Sequence, residues 1–233
     1  MKNIYNNTEY IDNNKYLDFI QENYLEIYTD KVFKARHQLI EKGYFNDLID
    51  ELLKIFQEYK IKDKIILDSG CGEGSILNKL TNNNIVYGID LSKNAIEQAS
   101  LLYSEINFAI ADINNLPFNS ESIDVIINIL SPNNYDQFHK VLKNEGLLIK
   151  VIPNEMISAA ANTYKSNAKE RFYNELTTKF EILSQKEIKK DILVAREDQQ
   201  ALTDINPPLW ESDENILETN LNLDLTIIVC KKK

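Results

Sequence analysis

Three of the six glycines in this 233-residue chain fall within five positions, at 70, 72 and 74, in the stretch ILDSGCGEGS (66–75). Glycines at that density let a backbone turn tightly or let a ligand come close to it. The stretch follows the apolar run KIILD (64–68) and opens a helical pattern. A helix beginning there offers free N–H groups to a carboxylate or phosphate. The spacing is G-x-G-x-G, with the third glycine at 74 rather than at the 75 of a dinucleotide fingerprint. Asp68, Gly70, Cys71 and Gly72 are therefore candidate ligand contacts. A tight turn without a ligand is the alternative for the same residues.

Further candidates follow at strand ends. Asp90 closes IVYGID, twenty residues after Gly70. A carboxylate there can accept both hydrogen bonds of a ribose diol, and Leu91 can cover an adenine face. Asp90 as a mere helix cap is the weaker reading, because Ser92 fills that role. Asp112 ends INFAIAD and can accept from an exocyclic amine, with the Ile113 N–H beside it; an Asx-turn is the alternative. Asn128, Ser131 and Asn133 lie at or beyond the end of SIDVIINIL (122–130), where a transferred group would leave a bound ligand, or they are simply loop polarity.

These residues need a frame that brings strand ends together. KIILD, IVYGID, INFAIAD, SIDVIINIL and LLIKVIP read as buried strands, separated by helical patterns at 73–81, 92–104 and 135–146. Alternation with short links predicts a parallel sheet covered by helices on both faces. Residues 1–12 read as a frayed polar end, and 14–59 as two or three helices, with Asp30 as an N-cap and Gly43 as a C-terminal stop. The division is thus a helical extension over 1–60 and an α/β domain over 61–233. In the tail, 159–176 and 196–205 read as helical, and 180–193 and 222–232 as extended, which fits an antiparallel edge hairpin.

Net charge is −10. An acidic surface repels polyanions, which disfavours non-specific nucleic-acid or anionic-membrane binding. The basic runs KEIKK (186–190) and KKK (231–233) are short and read as solvated ends. Cys71 and Cys230 form neither a disulfide framework nor a zinc spacing, and no metal site is expected. Reduced cysteines and the lack of a signal-like N-terminus or a spanning apolar stretch place the expectation in the cytoplasm.

Five pieces in order, ILDSGCGEG, YGID, ADINNLPF, IDVIINIL and VLKNEG, resemble the class I S-adenosylmethionine-dependent methyltransferases over about residues 60–153. The resemblance implies a Rossmann-like, seven-stranded sheet with an antiparallel last strand, and S-adenosylmethionine as cofactor. It implies Asp68 at the methionine ammonium, Asp90 at the ribose, and Asp112, Leu91 and Ile113 at the adenine. ARHQLIEKGYFNDL (35–48) and ALTDINPPLW (201–210) further resemble the bacterial 23S ribosomal RNA guanine-N1 methyltransferases. On that basis Arg36 and Tyr44 reach the methionine carboxylate or the substrate, with a surface ion pair as the alternative for Arg36, and Trp210 walls the acceptor pocket with Ser131 and Asn133, with packing at a hairpin crossing as its alternative. Asn128 joins the cofactor set. That family carries an N-terminal four-cysteine zinc module for RNA, whereas no cysteine precedes Cys71 here. Methyl transfer to a small molecule or peptide is therefore the expectation, with rRNA guanine-N1 as the alternative acceptor. A non-catalytic cofactor-binding or partner subunit is the rival outside catalysis. A nicotinamide oxidoreductase is disfavoured by the glycine spacing. No general base is identifiable.

Overall fold

IILDS, IVYGID, NFAI and IDVIINI carry buried residues at successive positions, as strands covered on both faces do. In the computed structural model, which describes residues 4–20, 29–154, 168–205 and 219–233, they form the parallel centre of a nine-stranded sheet. The strands are β1 (Ile11–Asp12), β2 (Tyr16–Asp18), β3 (Ile65–Ser69), β4 (Ile85–Asp90), β5 (Asn107–Ile110), β6 (Ile123–Ile129), β7 (Leu142–Pro153), β8 (Phe180–Leu193) and β9 (Asn220–Lys232). The helices are α1 (Asp30–Glu41), α2 (Asn46–Glu58), α3 (Ser75–Lys79), α4 (Lys93–Leu102), α5 (Tyr135–Val141), α6 (Ala168–Lys179) and α7 (Gln199–Ile205). None of the described helices is long and apolar enough to cross a membrane.

The strand order is β1-β2-β5-β4-β3-β6-β7-β9-β8. β3 to β7 run parallel, and β9 inserts antiparallel between β7 and β8. The expected seven-stranded sheet with an antiparallel last strand is therefore present as β3 to β9. The chain leaves β3 toward β4 and β5, then returns to the other side as β6. That reversal opens a crevice beyond the carboxyl ends of β3 and β6, where open α/β sheets bind ligands.

Alternate residues feed two cores. Ile66 faces one with Leu39, Leu48, Leu52 and Phe108; Leu67 faces the other with Tyr87, Ile126 and Phe138. α1 and α2 thus share a core with the sheet. α2 contributes Leu48, Ile49, Leu52, Ile55 and Phe56 from one stripe, each stabilising by about 1.5–3 kcal/mol when fully buried.

Several expectations need correction. Tyr16–Asp18 is a strand parallel to β5, not the start of a helix; residues 21–28 of that expected helix lie outside the described residues. Residues 4 and 5 are not frayed. Ile4 is buried, and Tyr5 stacks on Phe118 at 5.2 Å and meets Phe19 at a tilt, at 5.3 Å. This aromatic cluster anchors the N-terminal segment over the β5 edge, which would otherwise expose unpaired strand groups. Thr29, not Asp30, is the N-cap of α1. α5 ends at Val141 rather than at Gly146, because Leu142 already pairs with Ile123 of β6. Ser92 caps α4 as expected, accepting from Ala95 N–H at 3.3 Å. Residues 159–167 of the expected tail helix lie outside the described residues; Ala168–Lys179 is helical, as α6.

Gly88 of β4 faces the ring of Phe108. A Cβ there would stand 2.8 Å from Phe108 Cε1 and 3.0 Å from Cys71 Sγ. Gly88→Ala is expected to destabilise by about 1–3 kcal/mol, seen as a lower urea midpoint at unchanged m value.

Candidate functional site

The crevice is a chamber of about 340 Å³. Its floor is Ser69 at the end of β3 with Gly70 and Gly72 of the turn that follows; one side carries Ile89 to Ser92, another Ala111 to Ile113. The turn after β6 supplies Ile129 to Pro132. α1 covers it with Val32, Phe33 and Arg36, and α7 adds Ile205.

The glycine turn is shaped by close approach. Gly70 has φ +84°, and a Cβ on it would collide with Ser131 Oγ at 1.9 Å. Gly72 has φ +56°, and its own Cβ position is 3.7 Å from Arg36 Nη1. Backbone is thus pressed against the post-β6 turn at Gly70, whereas at Gly72 the positive φ rather than crowding favours glycine.

Asp90 holds this turn in place. Its Oδ2 accepts from Gly72 N–H and its Oδ1 from Ser92 N–H, each at 2.9 Å. Burial raises its carboxyl, against the lowering effect of the Ser92 and Gly72 N–H groups. A carboxylate has about four lone-pair sites, so two hydroxyl donors can still be accepted. Asp112 makes the Asx-turn, accepting from Asn114 N–H at 2.8 Å, and lines the chamber as well. The structural and ligand readings of Asp90 and Asp112 are compatible.

Asp68 lies beneath the turn, 3% exposed, and its Oδ1 has no hydrogen-bond partner. Burial raises its pKa to about 7; the nearby Arg36 opposes this, while Asp90 and Glu73 add to it. A buried carboxylate without a donor is costly. A cationic ligand group arriving at this depth would relieve that cost. Arg36 Nε stands 3.6 Å from Oε2 of the buried Glu73, a partner not anticipated from the sequence.

Arg36, Gly70, Gly72, Asp90, Leu91, Asp112, Ile113 and Ser131 are brought together around one chamber. Five other described candidates stand apart from its lining, Asp68 beneath the turn being one of them. Cys71 is buried in the core, with Sγ 3.5 Å from the Gly72 carbonyl, and burial pushes its thiol up. Tyr44 donates to Asp198 Oδ2 and accepts from Ala195 N–H, each at 3.0 Å, which ties the α1–α2 turn to the turn before α7. Asn128 is wholly buried behind the post-β6 wall, donating to the Ser69 carbonyl at 2.6 Å and the Pro132 carbonyl at 3.0 Å. Asn133 is half-buried beyond the lining residues. Trp210 lies outside the described residues.

Val32, Phe33 and Ile205 line the chamber without having been anticipated. Apolar helix residues read as core, and nothing in their spacing separates a ligand wall from packing. Lys150 was missed too. The only signal was a lysine inside LLIKVIP, and it is 2% exposed in β7.

Three comparisons bear on this arrangement. The family described as "Methyltransferase domain" matches residues 60–215. The chain is 41% identical over 147 residues to Bacillus subtilis YxjB, provisionally named a 23S rRNA (guanine-N(1)-)-methyltransferase, covering 59% of this chain and 52% of that one. It is 21% identical over 224 residues to the 23S rRNA (guanine(748)-N(1))-methyltransferase of Streptomyces fradiae, covering 87% and 80%. The chain spans about half the length of the curated relatives from B. subtilis and Methanocaldococcus jannaschii. In fold it is similar to a SAM-dependent methyltransferase from Methanosarcina mazei, with TM-score 0.55, 17% identity, and coverage of 76% of this chain and 96% of that one.

The state of Asp68 sets a stability test. Its folded pKa lies above the ordinary carboxyl value of 3.8. Its cost to folding is therefore absent below about pH 4, grows as pH rises, and is full above about pH 7. Asp68→Asn is expected to raise Tm at pH 8 by about 2–4 °C, on the order of 1 kcal/mol, and to leave it unchanged near pH 4. Thermal unfolding followed by circular dichroism checks both.

Proposed function

The chain belongs to the methyltransferase domain family, and on that premise we propose that it transfers the methyl group of S-adenosylmethionine to a small-molecule or peptide acceptor. The observation that carries the cofactor reading is Asp68: a buried carboxylate oxygen without a donor, set beneath a glycine turn at the sheet's switch point. A pyrophosphate would be repelled there, whereas the ammonium of an amino-acid moiety supplies the missing donor.

The residues divide the ligand between them in this reading. Gly70 and Gly72 admit the methionine portion, and Asp68 takes its ammonium. The Arg36 guanidinium above Gly72 faces its carboxylate. Asp90 keeps two acceptor sites for the ribose hydroxyls. Leu91, Asp112 and the Ile113 N–H hold the adenine. When bound, S-adenosylmethionine supplies a methyl group already activated on a sulfonium. Among the described lining residues only Arg36, Asp90 and Asp112 carry titratable side chains, and each has a cofactor role. Catalysis then rests on alignment and on exclusion of water rather than on a base. Val32, Phe33, Leu130, Pro132 and Ile205 form the apolar walls that exclude it.

The acceptor reading rests on charge. Lys31, next to the lining Val32, lies 2.8 Å from Asp204; Lys93, next to the lining Ser92, lies 4.0 Å from Glu97. These two cations at the rim each face a carboxylate, whereas Lys34, next to the lining Phe33, is exposed and has no ion pair among the described residues; the net charge of −10 is what disfavours a polyanionic acceptor. The names of the B. subtilis and S. fradiae relatives favour the second reading, guanine N1 in rRNA.

Calorimetry is expected to detect S-adenosylhomocysteine but not NAD, and Asp90→Ala to weaken that binding at least about tenfold. Labelled methyl offered with ribosomal RNA on one side, and with metabolite and peptide extracts on the other, separates the acceptors. Label entering RNA alone would overturn the small-molecule reading.

A further inference from the structure

Leu130 is the residue at which the β6 backbone leaves the sheet, and it does so at φ +50°. That left-handed conformation strains a side chain bearing a Cβ and persists only where its surroundings hold it. Leu130 is also 45% exposed and lines the chamber. Something must keep this turn wound.

The restraint comes from within the sheet. Leu130 N–H donates to the Val151 carbonyl at 3.0 Å. Lys150, the neighbour of Val151, sends its ammonium to the Ser131 carbonyl at 2.7 Å and to Asn128 Oδ1. The Asn128 amide then reaches the carbonyls of Pro132 and Ser69. Leu148, Ile149, Val151 and Ile152 around Lys150 in β7 are all buried and apolar. An ammonium in such a strand is expensive to desolvate, and its burial lowers the Lys150 pKa to about 8. Its acceptors belong to the turn and to the residue that braces the turn.

We propose that Lys150 is a positioning residue, whose ammonium holds the Leu130–Pro132 turn in the strained form that packs Ser131 on Gly70 and sets one wall of the chamber. Lys150 touches no ligand in this account. The consequence for ligand affinity rests on the cofactor reading above; the consequence for the turn does not.

The test is a double-mutant cycle between Lys150→Met and Leu130→Gly, with two readouts. Glycine adopts a positive φ without help, so a turn bearing it no longer needs the restraint. Hydrogen exchange at the Leu130 and Ser131 amides is read on ligand-free protein. Lys150→Met alone is expected to speed it about tenfold, and to have under about a threefold effect when Leu130→Gly is already present. S-adenosylhomocysteine affinity by calorimetry is expected to follow the same pattern. A Lys150 that merely fills the core would cost the same in both backgrounds, and equal costs overturn the proposal. Unchanged exchange in Lys150→Met overturns it as well. Should Lys150→Met fail to fold, Lys150→Gln, a donor of shorter reach, takes its place in the cycle. If the unaltered protein does not bind S-adenosylhomocysteine, the cofactor reading fails and the exchange arm still decides the role of Lys150.

Discussion

One buried amide joins β3 and β6, the parallel neighbours at which the strand order reverses. Asn128 of β6 reaches the carbonyl of Ser69 at the end of β3 and that of Pro132 in the turn beyond β6. Adjacent parallel strands diverge once their ladder ends, and the polar groups freed there need partners. Asn128 supplies them from inside the sheet, so the two turns stay close enough for Ser131 to occupy the space above Gly70. The shape of the chamber depends on that closure.

The chamber's electrostatics follow from the same closeness. Asp68, Glu73 and Asp90 are drawn beside a short glycine turn, with Arg36 as the cation that opposes the rise in both Asp68 and Asp90. Asp90 is compensated by N–H groups, whereas Asp68 keeps one oxygen without a donor. The two carboxylates thus differ in kind. Asp90 is a fixed part of the scaffold that retains spare acceptor sites. Asp68 is offset only by the charge of Arg36 and has one oxygen that no donor reaches. α1 is set over both through Lys42 and Gln38 on Asp198, and through His37 on Ser75 at 2.9 Å.

Much of this was legible along the chain because it rests on short-range patterns. The buried strands showed as apolar runs, and the glycine turn as a cluster in a glycine-poor sequence. Asp90 and Asp112 stood out because strand ends are visible in the hydrophobic pattern. The N-terminal segment was misread because YLDFI has apolar residues compatible with either period, and only the open edge of β5 decides for a strand. The length of α5 was misread because Gly146 resembles a helix stop, while the pairing of Leu142 with Ile123 ends the helix earlier.

The sequence by itself determined the strand-and-helix alternation, the place of the glycine turn and the carboxylates around it, since each depends on residues within about ten positions of one another. Tertiary structure alone decided which of those residues share a chamber. Asn128, read as a ligand contact, stands behind the wall, and Tyr44 is bound to Asp198. Phe33 and Ile205, which the sequence does not single out, line the chamber. Lys150 takes its role from acceptors nineteen and twenty-two positions away. Side-chain type and local period say which way a residue faces within its own element; what it meets there is set by strand order, which long-range pairing determines.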